Sequence, residues 1–155
     1  MGERTVLPPT FAEKDLNYYL RMVRGDFSEL EELQTAKIRG PISVKNIVIV
    51  FHSTEVGIGK KKLGEKLLQE FLQALVNSQI KPKAVILFNS AVNLAAENEQ
   101  AIGRLIVLEE QGCKVMVCVS SADEYGVSDR LKVGFVAHMD DICEQMLEAW
   151  KVISL

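Results

Sequence analysis

Three short apolar runs constrain the fold of this chain more than any other feature: "NIVIVFH" at 46–52, "PKAVILFN" at 82–89 and "CKVMVCV" at 113–119. Runs of this length, rich in β-branched and long aliphatic residues and without polar alternation, fit strands buried on both faces of a parallel sheet. The segments between them carry helical spacing. "KKLGEKLLQEFLQALV" places Leu63, Leu67, Phe71, Ala74 and Leu75 on one face, and the next segment spaces Ala101, Leu105 and Leu108 before a stop at Gly112. Pro82 opens its strand without removing a needed ladder donor. A short strand around "VGFVA" (133–137), a last helix turning Ile142, Met146 and Ala149 inward, and a closing strand at "KVISL" complete the pattern. Alternation of this kind predicts a parallel sheet with helices on its faces.

Residues 1–45 read differently. "FAEKDLNYYLRMVRG" and "FSELEELQTAKI" are two short helical patterns divided by Gly25 and ended by "RGP" at 39–41, so the expectation is a helical extension on residues 1–45 ahead of an α/β domain on 46–155. Tyr18, Tyr19, Met22 and Val23 make that extension apolar enough to dock on the sheet or on a neighbouring subunit.

At 155 residues, 48% hydrophobic and 25% charged, the chain has the composition of an ordinary globular domain with a sizeable core. A net charge of −3 argues against a nucleic-acid partner, because phosphate binding is driven by clustered lysine and arginine. The one basic run, Lys60-Lys61-Lys62, reads as a solvated helix start. No apolar run is long enough to cross a bilayer and the N-terminal stretch lacks the apolar core of a signal peptide, so no membrane partner and a cytoplasmic location are expected.

Candidate chemistry is sparse. "HSTEVGIGKKKLG" puts glycines between a strand and a helix, but Gly57-x-Gly59-Lys60 has neither the GxxxxGK[ST] nor the GxGxxG order, and a plain strand-to-helix turn is expected rather than a nucleotide site. His52 and His138 are the only histidines, and the three cysteines Cys113, Cys118 and Cys143 form no CxxC pair. No metal and no cofactor are therefore expected. His138 reads as a helix start, and Cys113 and Cys143 as small buried hydrophobes. Cys118 stands apart, at the C-terminal end of a predicted parallel strand, the edge where open α/β sheets build their sites. Ser121 and Glu124 have capping-box spacing just after it, and a helix start favours a thiolate, while Asp123 and Glu124 oppose it. A working thiol and a core residue both remain open on these grounds.

Four segments, "FHSTEVGIGKKKLGEKLLQEFL", "VILFNSAVNLA", "LEEQGCKVMVCVSSADEYGVSDRLKVGFVAHMDDI" and "KVISL", in this order, resemble the DsrE-like family, and within it the C-terminal domain of YedF-type proteins linked to sulfur or selenium metabolism. The resemblance implies a three-layer α/β/α fold around a mainly parallel five-stranded sheet, and assembly into small homo-oligomers. Where the YedF-type pattern commonly reads C-G-T-C, this chain has Cys118-Val119-Ser120-Ser121. The first cysteine is kept and the second is serine, so what the resemblance implies is a single-thiol carrier of sulfane sulfur on Cys118 rather than an internal dithiol. Asn89, Ser90, Ser120, Ser121 and Tyr125, with His52, are the candidates for holding the incoming group. Residues 1–45 contain no cysteine and no Cys-Pro-x-Pro carrier motif, so sulfur donor and acceptor proteins are expected to be other chains. The rival expectation is an oligomeric small-ligand-binding or assembly module of the same fold, in which Cys118 is structural.

Overall fold

The computed structural model describes residues 41–155. The two helical patterns expected before residue 40 lie outside the described residues. Five strands form one sheet, β1 (Ser43–Phe51), β2 (Ile80–Leu87), β3 (Lys114–Cys118), β4 (Phe135–Ala137) and β5 (Lys151–Ser154), in the order β4-β3-β2-β1-β5. Every neighbouring pair is parallel. The connections carry helices α1 (Lys61–Asn77), α2 (Glu99–Glu110), α3 (Val119–Glu124) and α4 (Met139–Glu148), and a 3-10 helix at Asn89–Ala95. This is the expected α/β architecture, and β1 already takes in Ser43, Val44 and Lys45.

Strand parity divides the core. Ile49, Phe51, Val85, Leu87, Val115 and Val117 face α1, α2, α3 and the 3-10 helix. Val48, Val50, Ala84, Ile86, Met116 and Cys118 face the other way, where Ile142 of α4 packs with Met146 and Ala149. Asn46 ties α4 to the sheet: its Nδ2 donates to the carbonyl of Glu148 and its own carbonyl accepts from the Trp150 amide.

Strand β2 starts two residues before Pro82, which the sequence reading takes as its first residue, and two side-chain placements depart from that reading as well. The buried face of α1 is Gly64, Leu68, Leu72 and Val76, while Leu63, Leu67 and Ala74 are exposed and Phe71 and Leu75 half-buried. The reason is the loop after β1. It folds back over the first turn of α1, with the Val56 amide donating to the Gly64 carbonyl at 3.0 Å, and only glycine fits there because a Cβ would lie 2.9 Å from Glu55 Cβ. The apolar arc of α1 is wider than the sheet needs, and this approach selects one half of it. Cys143 is the other departure: it is exposed, because α4 turns Ile142 inward and its neighbour away.

Lys81 is the one charged side chain buried completely among the described residues. Its Nζ donates to the carbonyls of Leu75 and Val76, both at 2.6 Å, satisfying the open end of α1. Burial pulls Lys81 from its ordinary 10.5 down to about 8, partly countered by Cys113. Burial, reinforced by Glu109, pushes Cys113 from 9.0 up to about 12.

These opposite shifts predict the alkaline stability profile. Below about 8, Lys81 is protonated in both folded and unfolded chains and the cost of burying its ammonium is constant. Between about 8 and 10.5 the folded chain has released a proton that the unfolded chain retains, so stability rises with pH. Above 9.0 the unfolded chain ionises Cys113 while the folded chain does not, so stability from that group falls. Urea-unfolding midpoints should rise modestly between these two onsets, Lys81→Met should flatten the rise, and Cys113→Ser should extend it. A packing test is separate. Gly134 holds φ 77°, and a Cβ there would lie only 2.7 Å from the Val115 carbonyl oxygen, so Gly134→Ala should cost about 1–3 kcal/mol in the same urea experiment.

Candidate functional site

The parallel register brings the strand ends level. Phe51 pairs with Leu87 and Leu87 with Val117, so the residues that follow, His52, Phe88 and Cys118, stand abreast, and Cys118 pairs onward with Ala137. The Phe88 amide donates to the Phe51 carbonyl at 2.9 Å, continuing the ladder one step beyond the strands. All three side chains belong to the face covered by α4. His52 and Phe88 stack with ring centroids 6.0 Å apart and planes at 14°, and Phe88 packs on the cluster that contains Cys118.

His52 therefore does not reach the thiol. It stands two strands from Cys118, about 10 Å by strand spacing, with Phe88 between them. Its Nε2 instead meets Ser154 Oγ at 2.6 Å. Cys118 ends β3 and is the residue from which α3 departs, and it is only 3% exposed, lying among Met116, Ala137 and Ile142.

Beside it the polar rim is knitted together. Ser121 Oγ accepts from the Asn89 amide at 2.9 Å, and Tyr125 Oη donates to Asn89 Oδ1 at 2.8 Å. Asn89 holds φ 50°, a left-handed conformation that asparagine tolerates better than other side-chain-bearing residues. Ser121 thus does not form the expected capping box with Glu124. Helix α3 begins two residues earlier, at Val119, so Ser121 is inside it and its hydroxyl is free to accept from the Asn89 amide at the start of the 3-10 helix. Asp123 is engaged as well, accepting from Ser128 Oγ.

Of the expected site residues, the structure brings Asn89, Ser121 and Tyr125 into one hydrogen-bonded group next to Cys118. Ser90, half-buried in the 3-10 helix, and exposed Ser120 stand on the same rim. His52 lies at the far end of the file. Phe88 and Ser154 join the rim although no motif marks them. Matching the parity of the three apolar runs would have found Phe88, whereas Ser154 depends on the pairing of β5 with β1. Among the described residues no cluster of His, Cys, Asp and Glu is arranged to hold a metal, and no helix is long and apolar enough to cross a membrane. A polar groove lined by Thr54, Glu65, Lys66, Gln69, Asn98 and Gln100 lies by α1 and α2, on the opposite face of the sheet from Cys118.

The sequence pattern of the DsrE/DsrF-like family matches residues 23–155. The chain belongs to this family. The YchN protein from E. coli, 18% identical, has the same DsrE-like fold with a TM-score of 0.52, the match covering 72% of this chain and 99% of that one. A conserved protein of unknown function from Bacteroides thetaiotaomicron, BT1422, is 17% identical over 71% of this chain and 95% of its own, with a TM-score of 0.49. No curated protein matches this chain. In this DsrE/DsrF-like domain the polar rim and Cys118 occupy the C-terminal edge of the parallel sheet, the edge where strands of this arrangement hand over to helices and loops.

The rim makes a stability prediction. Tyr125→Phe removes one exposed hydrogen bond and should cost at most about 0.5–1.5 kcal/mol. Asn89→Ala removes the same acceptor and also places a Cβ-bearing residue without a polar side chain at positive φ, adding about 1–2 kcal/mol. Urea unfolding should rank Asn89→Ala as clearly the more damaging; equal losses would show that the φ 50° turn carries no strain.

Proposed function

We propose that this DsrE/DsrF-like protein is a sulfur relay carrier that holds sulfane sulfur as a persulfide on Cys118. The observation that carries the proposal is the position of Cys118, which ends β3 at the sheet's C-terminal edge, three residues before Ser121 of the Asn89–Ser121–Tyr125 group. In the proposed step the Cys118 thiolate attacks the outer sulfur of a donor persulfide. A new S–S bond forms, the donor's S–S bond breaks, and the donor leaves as a thiolate that takes up a proton. Delivery repeats this with an acceptor thiolate attacking the outer sulfur and Cys118 leaving. No oxidant or reductant is consumed, because the transferred sulfur keeps its oxidation state.

Serine at 121 removes the partner for an internal disulfide, which favours one-sulfur carriage over dithiol chemistry. Donor and acceptor are then separate proteins in a reducing, cytoplasmic setting, consistent with a YedF-type role, and selenium could replace sulfur in the same displacement. Asn89, Ser121 and Tyr125 position the turn beside the thiol rather than waiting unpaired for a ligand.

The burial of Cys118 supports a second reading, a small-ligand-binding module in which the thiol only packs. Exposed Cys143 would mask the distinction, so the test uses a Cys143→Ser background. Incubated with glutathione persulfide, that protein should gain one reducible sulfur atom by intact mass, mapped to Cys118. Adding Cys118→Ser should abolish the gain while leaving thermal unfolding within a few degrees. No uptake by the Cys143→Ser protein, or equal uptake without Cys118, would leave the binding module as the better account.

A further inference from the structure

Helix α1 keeps an apolar stripe that the sheet does not use. Leu63, Leu67, Phe71 and Ala74 follow one another at helical spacing, with Leu63 and Leu67 52% and 39% exposed, Ala74 exposed and Phe71 half-buried. Exposed lysines edge the first half of the stripe, Lys62 and Lys66 on one border and Lys61 on the other. Glu70 stands on the Lys66 side and is paired with it at 3.7 Å.

The chain enters the sheet beside this helix. At the start of β1 the Ser43 amide donates to the Gln79 carbonyl at 2.9 Å, so the residues before 43 join the fold two positions past Asn77, the end of α1. The helical pattern nearest that join is "FSELEELQTAKI" at 27–38. On a helix its Phe27, Leu30, Leu33 and Ile38 share one arc, bordered by Glu29 on one side and Glu31 on the other, with Asp26 just before it. An acidic-edged apolar arc is the complement of the α1 stripe.

Length and register agree with this match. Residues 27–38 measure about 18 Å as a helix, and Leu63 to Ala74 about 17 Å. With Ile38 nearest the end of α1, the carboxylates of residues 26–31 come level with Lys61, Lys62 and Lys66. Residues 39–42, which include Gly40 and Pro41, extend about 13 Å and supply the turn between the two. Other occupants fit less well. Two α1 stripes would set lysines against lysines, and the more distant pattern at 11–25 carries Arg21 and Arg24 among its apolar residues. We propose that residues 27–38 of the same chain cover the α1 stripe, running alongside α1 in the same direction. Helix α1 lies on the face of the sheet opposite Cys118, so the inference does not depend on the sulfur-carrier reading.

Amide hydrogen exchange on the full chain checks it. Amides within 31–38 should exchange at least about tenfold more slowly than in an unfolded chain, at every protein concentration. Asp26→Lys with Glu29→Lys and Glu31→Lys, and separately Lys61→Glu with Lys62→Glu and Lys66→Glu, should each reduce that protection by about tenfold, the sum of several surface pairs. Combining both sets in one chain should restore it. The uncharged variants Leu30→Ser and Leu67→Ser should reduce it too, and they decide the matter if a charge variant also loses protection in β2 and β3 and so has unfolded. Unprotected amides in the wild-type chain overturn the proposal. So does protection that grows with protein concentration, which points to a second copy as the occupant. Loss with the acidic set but not the lysine set places the segment elsewhere and overturns it as well, as does a combined variant that stays unprotected.

Discussion

The parallel register of β1, β2 and β3 over their C-terminal halves, unbroken from Val48 in β1 onwards, is the constraint on which everything else in this protein rests. Because the strands pair without offset at their C-terminal ends, a residue's place in its own apolar run decides both its height and its face. His52, Phe88 and Cys118 stand level for that reason alone, and parity turns all three towards α4. A shift of one residue in β3 would carry Cys118 to the α1 and α2 side and put Val117 in its place. The backbone pairing, and not any local motif, thus sets where the thiol lies.

That constraint also separates the two charged or reactive groups on the other face from the rim. Lys81 and Cys113 belong to the opposite parity, beneath the end of α1, where Lys81 satisfies carbonyls and Cys113 is held protonated by burial. The two buried cysteines are consequently different in kind. Cys113 is enclosed just before β3 within reach of Lys81 and Glu109, whereas Cys118 closes the strand at the edge where Asn89, Ser121 and Tyr125 gather.

How much of this is legible in the sequence follows from which interactions are local. Unbroken runs such as Val48–Phe51 and Ala84–Leu87 mark buried parallel strands because burial on both faces leaves no room for polar alternation. Helix faces are less legible: Leu63 and Leu67 read as core on spacing, and only the long-range approach of the loop carrying Glu55 and Val56 to Gly64 turns the other half of α1 inward. The rim behaves similarly. Asn89, Ser121 and Tyr125 are recognisable as strand-end polar residues, but their mutual bonds span more than thirty positions of sequence, and the S-x-x-E spacing at Ser121 suggests a cap that the earlier start of α3 makes unnecessary.

The burial of Cys118 sets a physical condition on the proposed relay. A thiol that is 3% exposed cannot meet a donor persulfide unless a neighbour moves. Its neighbours differ in how readily they can do so. Met116, Ile142 and Ala137 are core, and displacing them breaks close packing. On the rim side, α3 is only six residues long and is tied to the start of the 3-10 helix through Asn89, whose backbone already holds a left-handed turn. Opening there breaks two exposed hydrogen bonds, relieves the positive φ of Asn89 and uncovers little apolar surface beyond Ala122, while opening through α4 uncovers Ile142 and its neighbours. In the proposed relay the nearest way in is the C-terminal edge where β3 hands over to α3, and the Asn89–Ser121–Tyr125 bonds would act there only through the backbone they hold, without any of the three touching the sulfur itself.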